Sequence, residues 1–358
     1  MNKLPNSEIL LIYEAKNCNP NGDPDDENRP RLDLKTQTNL VSDGRLKRFF
    51  RDYIIRRFGE KYIFVTKISG RNVRADERVG LFGYEEKTDE ERESRLSEIR
   101  NRKEIKAELE RLAGEVPKRC IDARLFGAVI PIGGEEKEKG QGSTEDKRGR
   151  GVNFIGPVQF AWGFSLHPVE IVDSPTITSV FSGARGTEEY GNIGKRWSVY
   201  YSLIAFYGVV SGNRAPQTKL SDDDLKVLDD VLWRALINET TTESKIGERP
   251  LLYMRVEYKD SETLLGDLRR FIDVKSKDPI RWFTDVNLNF DRLIEALYKN
   301  KDLISKIYIN CSEEMEFLKK DISNKLGGDY IETLPHGLSN EEIQRILARP
   351  QVSLGSKN

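Results

Sequence analysis

The alternation of apolar and polar positions predicts a chain in which strands and helices are mixed. Short runs rich in β-branched and aromatic residues predict strands, and apolar residues three or four positions apart predict helices. The predicted order is strand, helix, strand, strand, helix, strand, at residues 8–15, 43–57, 158–171, 197–210, 221–238 and 250–258. Ser221, followed by three aspartates, predicts the N-terminus of the second helix.

This βαββαβ order is that of the ferredoxin-like or RNA-recognition-motif arrangement, so we predict an α+β fold. Long insertions interrupt the order. Residues 61–118 begin with a short predicted strand, 62–68, and continue into a charge run, 84–112, whose thin apolar stripe predicts solvated helices. Residues 133–151 are almost all glycine, charged residues, serine and threonine, which predicts a flexible loop. Residues 176–197 are glycine-rich between β-prone flanks, which predicts a hairpin.

Beyond residue 260 the mixed pattern continues. The predicted elements are a strand, a helix, a strand and a helix, at residues 284–289, 290–298, 304–309 and 312–326. We therefore expect a core within residues 1–260 and an α/β extension, 261–358, packed on it.

Composition narrows the function. Among 358 residues, 58 Lys+Arg face 59 Asp+Glu, which gives a formal net charge of -1 and a sequence pI of about 6.3. A general polycation is therefore excluded, and a nucleic-acid surface has to come from local segregation of charge. Three distant cysteines and two histidines are too few for a disulfide framework or a typical zinc site. Without a spanning apolar run or a signal-peptide core, we expect a cytoplasmic protein with no membrane partner.

The first candidate basic residues close a turn-rich segment, residues 17–31, which we call the arginine loop because it ends in Arg29 and Arg31. The first predicted helix follows this loop. Its apolar residues share one face: Leu46, Phe49, Phe50, Tyr53 and Ile54. Its candidate basic residues are Arg45, Lys47, Arg48 and Arg51, of which the last three fall on another face. We expect the apolar face to pack on a sheet and the basic face to contact phosphates.

A second basic segment comprises Lys195, Arg196 and Trp197, which we call the hairpin base. Glycine-rich backbone, two cations and an indole can bind phosphate and stack on a base. The alternative is a hairpin tip whose tryptophan packs in the core. Together with Arg148 and Arg150 in the flexible loop, the segment favours RNA as the ligand.

Other chemistries fit less well. The arginine loop places asparagines at calcium-loop positions, but the twelfth position is Asn28 rather than the required glutamate. The aspartates at 23, 25, 26 and 33 could serve a magnesium-dependent nuclease, but no base or ordered spacing accompanies them. Gly194 and Lys195 lack the remainder of a P-loop. His167 lies in an apolar strand, where a packed or surface histidine is expected rather than a catalyst.

Several segments then carry a resemblance to a known family. They are residues 19–24 (NPNGDP), 28–33 (NRPRLD), 41–48 (VSDGRLKR), 121–127 (IDARLFG), 156–160 (GPVQF) and the Gly194-Lys-Arg stretch that leads into the strand ending at Gly208. In this order they resemble the CRISPR Cascade backbone subunit of the RAMP superfamily, in its type I-B/I-C branch. The match covers most of residues 7–260, whereas the charge run and the tail match only loosely.

The resemblance implies a palm with an RNA-recognition-motif core, a helical finger at 61–118 and a hairpin thumb at 176–197. Copies would pack head to tail along the guide RNA (crRNA), beside other Cascade subunits, and present it for pairing with a target DNA strand. The subunit would bind without cutting and need no cofactor. Its expected RNA contacts, to phosphate and sugar, are Lys47, Arg48, Arg51, Arg29, Arg31, Arg45, Lys195, Arg196 and Trp197, with Arg148, Arg150 and Gln159 as weaker candidates. The alternatives are a metal-dependent RNA endonuclease of the same superfamily and a general single-stranded RNA-binding protein.

Overall fold

The computed structural model describes residues 4–68, 70–85, 87–100, 105–132, 151–172, 176–182 and 191–349. The helices are α1 (Asp43–Phe58), α2 (Ala75–Gly80), α3 (Asp89–Arg100), α4 (Lys106–Ala113), α5 (Val116–Arg119), α6 (Ile121–Phe126), α7 (Ala215–Thr218), α8 (Asp222–Asn238), α9 (Asp291–Lys299), α10 (Glu316–Leu326) and α11 (Asn340–Leu347). The strands are β1 (Ser7–Cys18), β2 (Gly22–Asp23), β3 (Arg29–Pro30), β4 (Leu32–Asp33), β5 (Thr38–Val41), β6 (Gly127–Ile130), β7 (Val152–Ile155), β8 (Val158–Phe160), β9 (Gly163–Pro168), β10 (Thr176–Ser182), β11 (Gly191–Lys195), β12 (Val199–Val210), β13 (Glu248–Tyr258), β14 (Asp273–Ser276), β15 (Val286–Asn289), β16 (Ile304–Cys311) and β17 (Ile331–Thr333).

One mixed sheet organises the molecule, with strand order β17-β16-β13-β1-β12-β9-β5-β4 and β8 also paired with β12. Its pairs are antiparallel apart from β16 and β17, which run parallel. Strand β1 lies in the middle, where Ile12 is opposite Ala205 of β12 and Leu252 of β13. The α+β class is therefore confirmed.

Both faces of β1 are buried, which explains its almost continuous apolar sequence. Ile9, Leu11 and Tyr13 point into a core shared with α1 and α8. In α1, all five residues of the predicted apolar face are buried, and Ser42 caps the helix by accepting a hydrogen bond from the Arg45 amide. The predicted start of α8 is also confirmed, because Ser221 and Asp224 form a capping box there.

The opposite face of β1 carries Leu10 and Ile12, which lie in a second core. That core is completed by residues from the segment after 260, including Leu293 of α9 and Leu318 of α10. The predicted elements of this segment are present, since β15, α9, β16 and α10 lie where the pattern places them. The extension thus packs across the sheet and adds β16 and β17 to its edge.

The insertion builds a third core, separate from the two that cover the sheet. The apolar stripe of the charge run supplies much of it, because Leu96 and Ile99 of α3 and Leu109 and Leu112 of α4 are buried there. The predicted strand at 62–68 is wrong. The amides of Phe64 and Val65 donate to the Asp122 carboxylate at 2.7 and 3.1 Å, so these residues pair with a side chain rather than with a strand.

Two further predictions need adjustment. The predicted strand at 158–171 is divided into β8 and β9, and the break leaves Trp162 half exposed. The predicted hairpin consists of β10 and β11, which pair antiparallel with Thr176 opposite Lys195 and form a sheet of their own. Most of the predicted flexible loop, with Arg148 and Arg150, lies outside the described residues.

Candidate nucleic-acid interface

The arginine loop is fixed by its own asparagines. Asn28 has φ +61°, a left-handed conformation that asparagine tolerates well. The buried Asn19 side chain donates Nδ2 to the Asn28 carbonyl at 2.7 Å. The Asn21 carbonyl accepts from the Arg31 amide at 3.1 Å, and its Oδ1 accepts from the Ser42 amide at 2.8 Å. The loop and the start of α1 therefore form one unit.

Basic side chains of this unit lie against two tryptophans. The Arg29 guanidinium is 5.2 Å from the ring centroid of Trp197, and Lys195 Nζ is 5.9 Å from the same centroid. The Arg31 guanidinium is 5.9 Å from the ring of Trp162. These are cation–π distances, so loop and hairpin base share one basic, aromatic surface.

Unpartnered polar atoms concentrate at the same place. Of ten buried side-chain nitrogen and oxygen atoms without a hydrogen-bond partner among the described residues, eight surround the arginine loop. They are Tyr13 Oη, Asn19 Oδ1, Arg29 Nε, Arg31 Nε, Arg45 Nε, Trp197 Nε1 and the two carboxylate oxygens of Glu248. Buried donors normally have an acceptor. Three guanidinium donors and one indole donor without acceptors suit a ligand rich in acceptor oxygens, such as a phosphodiester.

The cations differ in how strongly carboxylates neutralise them. Within the described chain, Arg29 and Arg45 form no ion pair, and Arg45 lies over the Phe49 ring at 3.9 Å. Arg31 is 3.3 Å from Asp23. Arg29 and Arg45 are therefore the cations of the loop unit that an incoming phosphate could pair with without displacing a carboxylate.

The predicted basic face of α1 needs a correction. Lys47 pairs with Asp43 at 2.8 Å, Arg48 pairs with Asp52 at 2.6 Å, and Arg51 donates to Asp122 at 2.9 Å. The side chains of Lys47 and Arg51 are only 12% and 11% exposed. The helix therefore presents no free patch of three cations. Each of the three pairs with an aspartate that the sequence analysis did not take into account.

The hairpin base is neutralised in the same way. Lys195 Nζ lies 2.6 Å from Glu27, an exposed residue of the arginine loop. Arg196 donates to the Glu243 carboxylate at 2.5 Å and to the Glu243 carbonyl at 2.9 Å. These pairs are exposed, so a phosphate can displace the carboxylates at low cost.

Gln159 has a structural contact that the sequence does not reveal. Its Nε2 donates to the carbonyls of Gly156 and Phe126 at 2.8 and 3.4 Å. There Gly127 and Gly156, one from each of two segments that carry the resemblance, approach backbone to backbone. The Gln159 side chain thus joins the two backbone segments, and its amide nitrogen already donates hydrogen bonds within the protein.

A cavity of about 520 Å³ opens beside Arg29. Its lining combines apolar residues such as Leu32 and Ile280 with the polar groups of Gln37 and Asp278. A volume of this size suits a nucleoside-sized group.

The alternative chemistries receive no support from the described part of the chain. It contains no group of three or more histidine, cysteine, aspartate or glutamate side chains able to hold a metal ion. Of the two expectations for His167, the structure shows the packed one: its Nε2 accepts from the Leu203 amide at 3.2 Å, and burial lowers its pKa. None of the described helices is long and apolar enough to cross a membrane.

Sequence reasoning missed Lys245 and Glu248. Lys245 Nζ donates to the carbonyls of Asn19 and Pro20 and lies 3.8 Å from Glu248. Burial lowers the pKa of Lys245 and raises the pKa of Glu248. No local pattern marks Lys245, because the carbonyls that it binds lie more than 220 positions earlier in the chain.

Basic and aromatic side chains with unpartnered donors, on a large α+β sheet, are typical of sites that bind nucleic acid. Comparison with known proteins identifies the family. The family model Cas_Cas7, CRISPR-associated protein Cas7, matches residues 5–291. A CRISPR-associated protein Cas7 from Haloferax volcanii is 31% identical over 318 residues, which cover 86% of this chain and 87% of that protein. The chain therefore belongs to the Cas7 family.

Solved structures similar to the chain include two described as a CRISPR RNA-guided surveillance complex, one of them pre-nicking. They cover 96% of this chain and 99% and 98% of their own chains. Their sequence identities are 14% and 15%, with TM-scores of 0.47 and 0.45.

Proposed function

We propose that this chain is a non-catalytic backbone subunit of a CRISPR RNA-guided complex, which packs head to tail with its own copies along a guide RNA. In this proposal it holds the RNA by phosphate and sugar and leaves the bases free to pair with a target DNA strand. Other subunits of the complex complete the assembly. Family membership supports the setting.

The fold supports the proposal through the centre of the sheet. The strand order β13-β1-β12-β9, with α1 and α8 on one face, supports a ferredoxin-like palm in this proposal. In this proposal the insertion with α2 to α5 is the finger, β10 and β11 are the thumb, and the segment after 260 is the extension.

The observation that carries the proposal is the convergence of three separate sequence regions on one surface. The arginine loop, the start of α1 and the hairpin base meet there, and four buried N–H donors of this surface have no acceptor. Arg29 and Arg45 are the primary phosphate ligands in the proposal, and Trp197 supplies a stacking face. Arg31, Lys195 and Arg196 join once phosphate displaces their carboxylates, and Lys47 and Arg48 flank the path.

The test is binding of a fluorescent 40-nucleotide single-stranded RNA across a salt series, with size-exclusion chromatography at 260 and 280 nm. Each phosphate contact adds about 0.7 to the slope of log Kd against log salt. We expect the double variant Arg29→Gln/Arg45→Gln to bind at least about tenfold more weakly and to lose about 1.4 from the slope. The matched control, Lys275→Gln/Lys277→Gln, removes two exposed lysines of the extension and should bind like the wild type.

Two RNAs of unrelated sequence should bind equally, because phosphate and sugar carry no sequence information. A wild-type protein that binds no RNA at low salt would overturn the proposal. Shortening of the RNA by the pure protein in Mg²⁺ would instead favour the endonuclease alternative.

A further inference from the structure

The connection between α8 and β13, residues 242–247, contacts both arms of the proposed RNA surface. From the arginine-loop side, the Asn19 amide donates to the Ser244 carbonyl at 3.0 Å. From the hairpin side, Arg196 donates to the carboxylate and the carbonyl of Glu243. We call these residues the bracket turn.

Lys245 adds two contacts to the arginine-loop side. Its ammonium donates to the carbonyls of Asn19 and Pro20, the latter at 2.9 Å, and its side chain is only 15% exposed. A phosphate therefore cannot easily reach this ammonium. Glu248 lies 3.8 Å away as its counter-charge, itself buried at the start of β13.

The contacts continue from Lys245 to the proposed ligands. Asn19, held by its carbonyl, donates its side chain to the Asn28 carbonyl, which directly precedes Arg29. The turn is also fixed to the end of β1, because the Lys16 amide donates to the Gly247 carbonyl at 3.0 Å. Gly247 has φ +123°, and a Cβ there would lie 2.1 Å from the Lys16 carbonyl oxygen, so only glycine fits.

We propose that Lys245 is a positioning residue for RNA binding: from the bracket turn it holds the arginine loop in place, so that Arg29 and Arg31 meet the RNA beside the hairpin base. The ammonium does not itself contact the RNA. This inference rests on the proposed function and adds a second layer of residues to the same site.

The test removes the ammonium of Lys245 and keeps a side chain of similar volume. Lys245→Met should weaken binding of the 40-nucleotide RNA about tenfold. It should lower the salt slope by about 1.4, because the phosphate contacts of both Arg29 and Arg31 are lost, whereas loss of a single direct contact by Lys245 would lower the slope by about 0.7. Lys275→Met, at an exposed lysine of β14, is the matched control and should bind like the wild type. A double-mutant cycle decides the mechanism: in an Arg29→Gln/Arg31→Gln background, Lys245→Met should have an effect of less than about twofold.

A second variant tests the same chain of contacts in case Lys245→Met does not fold. Asn19→Ala removes the contact to Asn28 but leaves Lys245 in place, and it should show the same dependence on Arg29 and Arg31. If Lys245→Met binds as tightly as the wild type, or if its effect is undiminished in the double-arginine background, the positioning role is overturned while the RNA-binding function stands. A wild-type protein that fails to bind RNA overturns the proposed function and this role together.

Discussion

Arg51 of α1 donates its Nε to the buried carboxylate of Asp122 in α6, at 2.9 Å. The same carboxylate accepts hydrogen bonds from the amides of Phe64 and Val65. Asp122 thus connects the first helix, the start of the insertion and a segment that carries the family resemblance. It follows that Arg51 stabilises the fold, whatever it contributes to RNA binding.

Replacing Arg51 by alanine should lower the free energy of unfolding by about 2–4 kcal/mol, because a buried carboxylate then loses its counter-charge. Equilibrium unfolding in urea, followed by far-UV circular dichroism, measures this loss. Arg48→Ala is the control on the same helix, since its more exposed pair with Asp52 is worth about 0–1 kcal/mol. Equal losses for the two variants would contradict the structural role of Arg51.

The contact between Gly127 and Gly156 gives a second prediction. A Cβ at Gly156 would lie 2.1 Å from the Phe126 carbonyl carbon and 2.3 Å from the Gly127 amide nitrogen. Because backbone atoms cannot rotate away, Gly156→Ala should cost about 3 kcal/mol, the upper range for overpacking.

Gly44 is the matched control, since it lies in the first turn of α1 and a Cβ there meets nothing closer than Ser42 Oγ at 3.8 Å. Gly44→Ala should raise stability by about 0.5–1 kcal/mol, because alanine is the better helix former. Thermal melting of both variants checks that the melting temperature falls for Gly156→Ala and rises for Gly44→Ala. A rise for both would show that the contact between Gly127 and Gly156 is looser than the distances indicate.

The local pattern of apolar and polar residues was enough to predict the elements that bury one apolar face. The apolar stripe of α1, the capped start of α8 and the four elements after residue 260 follow from spacing alone. The strand predicted at 62–68 failed because its amides bond to Asp122, nearly 60 positions away, and such a competitor is invisible in a local window.

The RNA-binding role of the candidate residues stays a prediction, and only some of their ion pairs can be recognised from the sequence. The loop, helix and hairpin base that contain basic residues do meet, as Arg29 and Trp197 show. Asp43 and Asp52 could have been recognised, because each lies four positions from its partner on the predicted helix. The partners of Arg51, Lys195 and Arg196 could not, because they lie 71, 168 and 47 positions away. For the same reason Lys245 went unnoticed, since its role depends on carbonyls of a distant loop.

The C-terminal part of the chain gives a pH-dependent prediction. His336 lies between two carboxylates, with Nε2 3.0 Å from Asp229 and Nδ1 3.3 Å from Glu332. Burial alone lowers the pKa of His336, but the hydrogen bond to Asp229 and the charges of Asp229 and Asp230 outweigh it, so the pKa is raised above 6.5. A raised folded pKa gives stability that is complete below about pH 6.5 and is lost as pH rises through the folded pKa.

We therefore expect the urea midpoint of the wild type to fall as pH is raised from about 6 to about 9, across that folded pKa. His336→Gln keeps a polar side chain without a titrating charge, so its midpoint should be lower at pH 6 and should change less over this range. Parallel midpoints for the two proteins would show that His336 does not contribute the dependence.

The exposed pair between Lys195 and Glu27 gives the last prediction, which is an increase in RNA affinity. Their 2.6 Å contact neutralises a cation that the proposed function assigns to RNA, so a phosphate has to displace the carboxylate first. Such a surface pair is worth about 0.2–1 kcal/mol, so Glu27→Gln should tighten binding of single-stranded RNA up to about fivefold. Glu262→Gln, at an exposed glutamate after β13, is the control and should leave the affinity unchanged. Weaker binding by Glu27→Gln would mean that the carboxylate orients Lys195 for the RNA instead of competing with it.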